Sequence, residues 1–223
     1  MVLLVEDEEN LQRMQTNLEE GCIEYGLKIN VYKTKSLWLG HEKKRIQIKV
    51  KDELIEQVNG FRYLGSWMSE DGRSESEIKR RIANEAFNNK KGMLYGPMKK
   101  ELRKRLIKCY VWSVLLYGCE TWTLRSKDIK RLKAYEMWTW RRLERISWMD
   151  KVTNQEVLMR VGEKRRLMHE ISKRKRNWIG HILRRGNCLM RNVMERMVNG
   201  NKKRGRKRLT LLCDIKEGEN TEN

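Results

Sequence analysis

The sequence is short of several residue types and patterns, and each shortage narrows its reading. Among 223 residues there is one proline, and there are two phenylalanines and three histidines. The most apolar run, Cys109 to Cys119, is eleven residues long; a membrane-spanning helix needs about 20, so this run suits a buried helix instead. The five cysteines, Cys22, Cys109, Cys119, Cys188 and Cys213, are odd in number and widely spaced. That pattern argues against a disulfide scaffold, and the missing close pair of cysteines argues against a zinc knuckle at His181 and Cys188. No secretory or targeting signal and no internal repeat is visible, so reduced intracellular thiols are expected.

Charge is what the chain has in excess. Lys, Arg, Asp and Glu make up 36% of it, with a net charge of +20. The excess is lopsided: residues 1–60 hold 9 Lys/Arg against 11 Asp/Glu, and the remainder holds 41 against 19. A one-sided basic surplus interleaved with tryptophans on helical segments predicts a polyanionic partner, nucleic acid first.

Periodicity predicts an α+β chain. Val2 to Val5 reads as a buried strand. A helix follows with Leu11, Met14, Leu18, Cys22 and Tyr25 on one face, carboxylates Asp7, Glu8 and Glu9 at its start and Gly26 at its end. Leu37 to Leu39, Ile46 to Val50 and Val58 to Met68 read as short strands, with a turn at His41 to Arg45. After Gly72 the pattern becomes helical. Ser74-x-x-Glu77 reads as a capping box, followed by Ile78, Ile82, Ala86 and Met93 on one face. Gly96-Pro97 breaks that helix, and the next carries Leu102, Leu106, Tyr110 and Val114 inward. A third begins near Ser126 with Ile129, Leu132, Trp140 and Leu143. A short fourth runs from a Thr153-x-x-Glu156 box to Gly162, and a fifth covers residues 164–185. The expected division is 1–72, 73–150 and 151–198, with a disordered basic tail over 199–223 containing Lys202 to Arg208.

Five motifs in fixed order carry a resemblance: Gly26-Leu-Lys-Ile-Asn30 with Lys33-Thr34; Phe61-Arg-Tyr-Leu-Gly65; Glu77-Ile-Lys-Arg-Arg-Ile82; Leu115-Leu-Tyr-Gly-Cys-Glu-Thr-Trp-Thr123; and Arg176-Asn-Trp-Ile-Gly-His-Ile-Leu-Arg184. In this order they resemble the end of the palm, the thumb and the basic C-terminal region of non-LTR (LINE-type) retrotransposon reverse transcriptases. The resemblance implies a small partial palm of short antiparallel strands plus one helix, then a mainly helical thumb-like and C-terminal region.

It also implies roles. Gly26, Asn30 and Lys33 would belong to the segment like polymerase motif D, where a basic residue approaches the nucleotide phosphates; an ordinary exposed loop lysine is the alternative for Lys33. Phe61, Tyr63, Leu64 and Gly65 would form a primer-grip-like turn, or a core strand with Tyr63 and Leu64 packed on the first helix. Lys79, Arg80, Lys99, Lys100, Arg103, Lys104 and Lys108, with Lys173, Arg174 and Arg176 further on, would contact phosphates without reading sequence.

Polymerase chemistry needs carboxylates that hold two Mg²⁺ ions. In the family these lie before the position of Met1, and Asp7, Glu8 and Glu9 read as helix-start residues rather than replacements. The expectation is therefore a reverse-transcriptase fragment without catalytic aspartates or cofactor, which binds RNA, DNA or their hybrid and is intracellular and nuclear. Two alternatives stand beside it: an incomplete gene product whose full-length form is an active polymerase, or a pseudogene product without a stable fold. The tryptophans Trp112, Trp122, Trp138, Trp140, Trp148 and Trp178 are expected to pack in the core rather than to stack on bases.

Overall fold

A computed structural model describes residues 1–40, 44–83, 87, 89, 92, 95–185 and 189–194. The chain divides into two compact units, Met1–Ser76 and Glu77–Asn223.

The first unit is α+β. Helix α1 (Glu8–Glu24) starts on Asp7, whose carboxylate accepts from the Asn10 backbone N–H at 2.7 Å, a cap worth about 1 kcal/mol. It ends where Gly26 takes φ +69°, with Gly26 N–H donating to Ile23 O and Leu27 N–H to Cys22 O. That paired closure needs a left-handed residue, which glycine supplies without a Cβ clash. Six short strands follow: β1 (Lys35–Ser36), β2 (Lys49–Val50), β3 (Glu53–Leu54), β4 (Glu56–Gln57), β5 (Gly60–Tyr63) and β6 (Ser66–Ser69). They form three two-stranded sheets, β1–β4, β2–β3 and β5–β6.

Several expectations for this unit need correction. The β1–β4 pair is parallel, so the strands are not all antiparallel. Val58 to Met68 is not one strand but the β5–β6 hairpin, with Tyr63 opposite Ser66 and Leu64-Gly65 as its two-residue loop. Leu64 and Gly65 have φ of +47° and +84°, as the twist-matched two-residue turn requires. Leu64 is therefore a hairpin tip, 74% exposed, and not a core residue on α1. Residues Val2 to Val5 form no strand, and Leu4 is 73% exposed; apolar content favours burial, but a strand also needs a neighbour for its backbone hydrogen bonds. Strand β1 occupies Lys35–Ser36 rather than Leu37 to Leu39.

The unit's buried core is four aliphatics, Ile46, Ile48, Val50 and Ile55, with Leu11, Ile29, Val31 and Trp38 packed against it. Polar side chains of α1 supplement it. Glu8 accepts from Gln47 N–H at 2.8 Å, Gln12 exchanges two bonds with the Lys49 backbone at 2.8 and 3.0 Å, and Glu19 accepts from Lys51 N–H at 3.3 Å. The backbone groups of residues 47, 49 and 51 lie on one side of the strand. The helix thus satisfies an edge that would otherwise be open to pairing with another chain.

The second unit is helical, with α2 (Glu75–Ala83), α3 (Lys100–Leu106), a π-helical turn (Ile107–Val111), α4 (Trp112–Leu115), α5 (Ser126–Leu143), α6 (Asn154–Val161), α7 (Leu167–Arg184) and α8 (Leu189–Met194). Its core runs from Ile78 through Ile107, Val111, Leu115, Leu132, Trp140, Leu143, Val157 and Leu167 to Ile171. One core therefore draws on both the thumb-like and the C-terminal stretches. The α6 boundaries are as expected: Thr153 accepts from Glu156 N–H at 3.3 Å, and Gly162 closes the helix at φ +67°.

The inward face of α3 and α4 differs from expectation. Leu102 and Tyr110 are exposed at 47% and 48%, whereas Lys104, Ile107, Val111 and Leu115 are buried. A π-turn inserts a residue into the helical count and rotates the face from Ile107 onward, Tyr110 included; Leu102 lies before that turn. Arg81 is also buried: its Nε lies 2.6 Å from Glu77, and its guanidinium sits 4.9 Å from the Tyr117 ring. His181 is exposed. Trp112, Trp122 and Trp140 are core residues, as expected. Ala86, Lys90, Lys91, Met93, Cys188, the basic tail 199–223 and the side chain of Trp148 lie outside the described residues.

Candidate nucleic-acid interface

In the first unit the motif-D-like residues serve local architecture. Asn30 caps the single turn Val31–Lys33, its side chain accepting from Lys33 N–H at 3.0 Å, and Thr34 donates its hydroxyl to Asn30 O at 2.8 Å. This leaves the Lys33 side chain exposed at the turn's end. Phe61 and Tyr63 project from the same face of β5 with ring centres 6.3 Å apart, edge to face, both half-buried. Behind the hairpin a cleft of about 530 Å³ is lined by Trp38, Lys44, Arg45, Gln57, Asn59 and Glu70, and the Lys44 ammonium lies 5.3 Å from the Trp38 ring.

Asp7 and Glu8 are committed to structure. Backbone hydrogen bonds, from Asn10 and Gln47 respectively, hold both carboxyls below their ordinary range. Among the described residues no three or more His, Cys, Asp or Glu side chains gather as a metal would need.

The expected phosphate-contact residues of the second unit separate into distinct environments. Lys104 is buried; its ammonium lies 2.6 Å from Glu101, 3.1 Å from Val161 O and 3.7 Å from Glu163. It is a tether between α3 and the end of α6, and it is withdrawn from any phosphate. Lys108 reaches the same Glu163 at 2.7 Å, and Lys100 reaches Glu144 at 2.9 Å and Arg160 O at 2.5 Å. Arg174 bonds Glu170 at 3.1 Å and Leu116 O at 3.4 Å. Arg103 is half-buried. Lys79, Arg80, Lys99, Lys173 and Arg176 are exposed and form the accessible part of the set.

Residues that periodicity did not single out prove central. Glu136, 1% exposed on α5, accepts from the backbone N–H groups of Arg166 and Leu167 at 2.8 and 3.1 Å. It supplies from another helix the cap that α7 lacks locally, since Arg166 makes no side-chain cap bond. Burial raises its carboxyl pKa, with the two N–H bonds opposing. Burial likewise pushes the Cys119 thiol up to about 12, which leaves it inert, while Cys109 is exposed.

The fold defines the class: an α+β chain whose second unit is helical and basic. Over 200 residues, covering 83% of this chain and 69% of the other, it is 28% identical to an uncharacterized transposon-derived protein of Caenorhabditis elegans. No family model matches this chain, and no solved structure is significantly similar. Among the described residues no helix is long and apolar enough to cross a membrane.

Proposed function

We propose that the chain derives from the palm-end and thumb region of a LINE-type reverse transcriptase, and that it binds RNA, DNA or an RNA–DNA hybrid without reading sequence. The observation that carries this reading is the charge distribution: 41 Lys/Arg against 19 Asp/Glu after residue 60. Lys79, Arg80, Lys99, Lys173 and Arg176 are exposed at the surface. The ordered motifs and the transposon-derived relative support the ancestry. The role proposed for the chain is to hold nucleic acid rather than to synthesise it.

Binding to a duplex of arbitrary sequence, followed across a salt series, tests this. Phosphate neutralisation releases counterions, so log affinity falls linearly with log salt, with a slope of about −0.9 per phosphate contacted. Replacing Lys173 with Ala should weaken all sequences equally and flatten the slope by about 1 if it makes one contact. A flat salt response, or magnesium-dependent DNA synthesis by the purified chain, overturns the reading.

A further inference from the structure

The carboxyl end of α5 holds an arrangement of rings and guanidinium groups that the phosphate reading does not use. Trp138 stacks on Tyr135 with centroids 5.6 Å apart and planes 20° from parallel. Arg142, one turn further along, brings its guanidinium to 5.3 Å from the Trp138 ring centre. Residues three before and four after Trp138 lie on opposite sides of it along the helix, so Tyr135, Trp138 and Arg142 form a column. Three residues on, Arg145 takes φ +56° as the helix ends. Its guanidinium sits 5.1 Å from the Tyr95 ring and donates to Tyr95 O at 3.3 Å. Phe87 braces both rings edge-on, 5.3 Å from Trp138 and 6.4 Å from Tyr95.

These two arginines differ from the cations of the unit that are held by carboxylates. Arg81, Lys104, Lys108, Arg131, Arg160 and Arg174 each face a carboxylate. Among the described residues Arg142 and Arg145 face rings instead, and both side chains are exposed. A guanidinium within about 6 Å of a ring centre is attracted to the ring's electron-rich face, and here both cations also reach solvent. A flat, electron-rich ring with a negative charge nearby, which is an unpaired nucleotide, can add to such a ring–cation pair. In a duplex the faces of the bases are hidden by stacking.

We propose that Arg142 and Arg145, seated on Trp138 and Tyr95, form a two-step stacking platform for unpaired bases of a single strand. The proposal rests on the nucleic-acid reading above and adds to it a site that distinguishes strands with accessible bases from those without.

The test uses the full chain and three probes of equal length, about a dozen nucleotides, within the span of known single-strand sites: a single strand, the same backbone without bases, and a duplex. Stacking predicts that the base-bearing strand binds about fivefold to a hundredfold more tightly than the abasic one. Arg142→Lys keeps the charge and loses the plane. It should bring that preference close to unity while abasic and duplex binding change less than about twofold. Arg145→Lys should act in the same direction; because it also removes the bond to Tyr95 O, the Arg142 variant decides if the Arg145 variant melts early. If duplex binds but the wild type shows no preference for bases, or if the preference survives both substitutions, the platform is wrong and the phosphate reading stands. If none of the probes binds, both fall.

Discussion

The two units solve the same problem by different means. The first has four buried aliphatics and closes its strand edge with carboxylate and amide groups from α1. The second has a continuous core that includes Phe87, Trp112, Trp122, Tyr135 and Trp140. A small core provides little burial energy, since stabilisation scales with apolar area removed from water. The first unit therefore depends on directional bonds, each worth little but costly when one partner is left unpaired. The second depends on volume. It places charge at helix ends, as at Glu136, and in buried pairs, as at Lys104 and Arg81.

The contrast can be broken most directly at Trp140, which is fully buried. Trp140→Ala should cost about 3–5 kcal/mol by cavity formation, read as a shift of the denaturant midpoint by circular dichroism. A cost under about 1 kcal/mol would mean the second core is loosely packed. In the first unit the two kinds of change should cost about the same. Gln12→Ala removes two exposed bonds to the Lys49 backbone, which water can replace, and should cost about 0.5–1.5 kcal/mol, while trimming buried Ile48 to Val should cost about 0.5–1.5 kcal/mol. If Gln12→Ala has no measurable cost, the polar edge is decoration.

The smallest effect concerns Glu136. Its raised carboxyl pKa means the neutral form fits the fold better than the ion. Its stabilisation is therefore fully present below the unfolded value, 4.5, and declines as pH rises through the higher folded value. Glu136→Gln keeps an acceptor for the two α7 N–H groups and removes the charge. It should stay within about 1 kcal/mol of wild type, and the difference should move in favour of the variant as pH climbs above 4.5. A difference that does not change with pH would show that the charge is not what the site opposes.

Local signals were legible in the chain. Asp7 and Gly26 at the ends of α1, Thr153 and Gly162 around α6, and the α5 face of Leu132, Trp140 and Leu143 all follow from side-chain chemistry within a few residues. Two of the errors share a cause. Periodicity assigns lysine and arginine to solvent, yet Lys104 and Arg81 are buried because Glu163, Val161 O and Glu77 receive them. Glu163 and Val161 are far along the chain from Lys104, and the π-turn that shifts the inward face leaves no pattern in composition.

Amino-acid order settled the helix limits, the charge asymmetry and the composition change near residue 72, because caps, glycine backbone preferences and net charge act over short range or by simple summation. Packing alone determined which cations are buried tethers and which are exposed, that Glu136 completes a helix other than its own, and that Arg142 and Arg145 lie near rings. Those outcomes depend on which distant groups a fold brings within a few ångströms, and pairing of that kind has no local chemical trace.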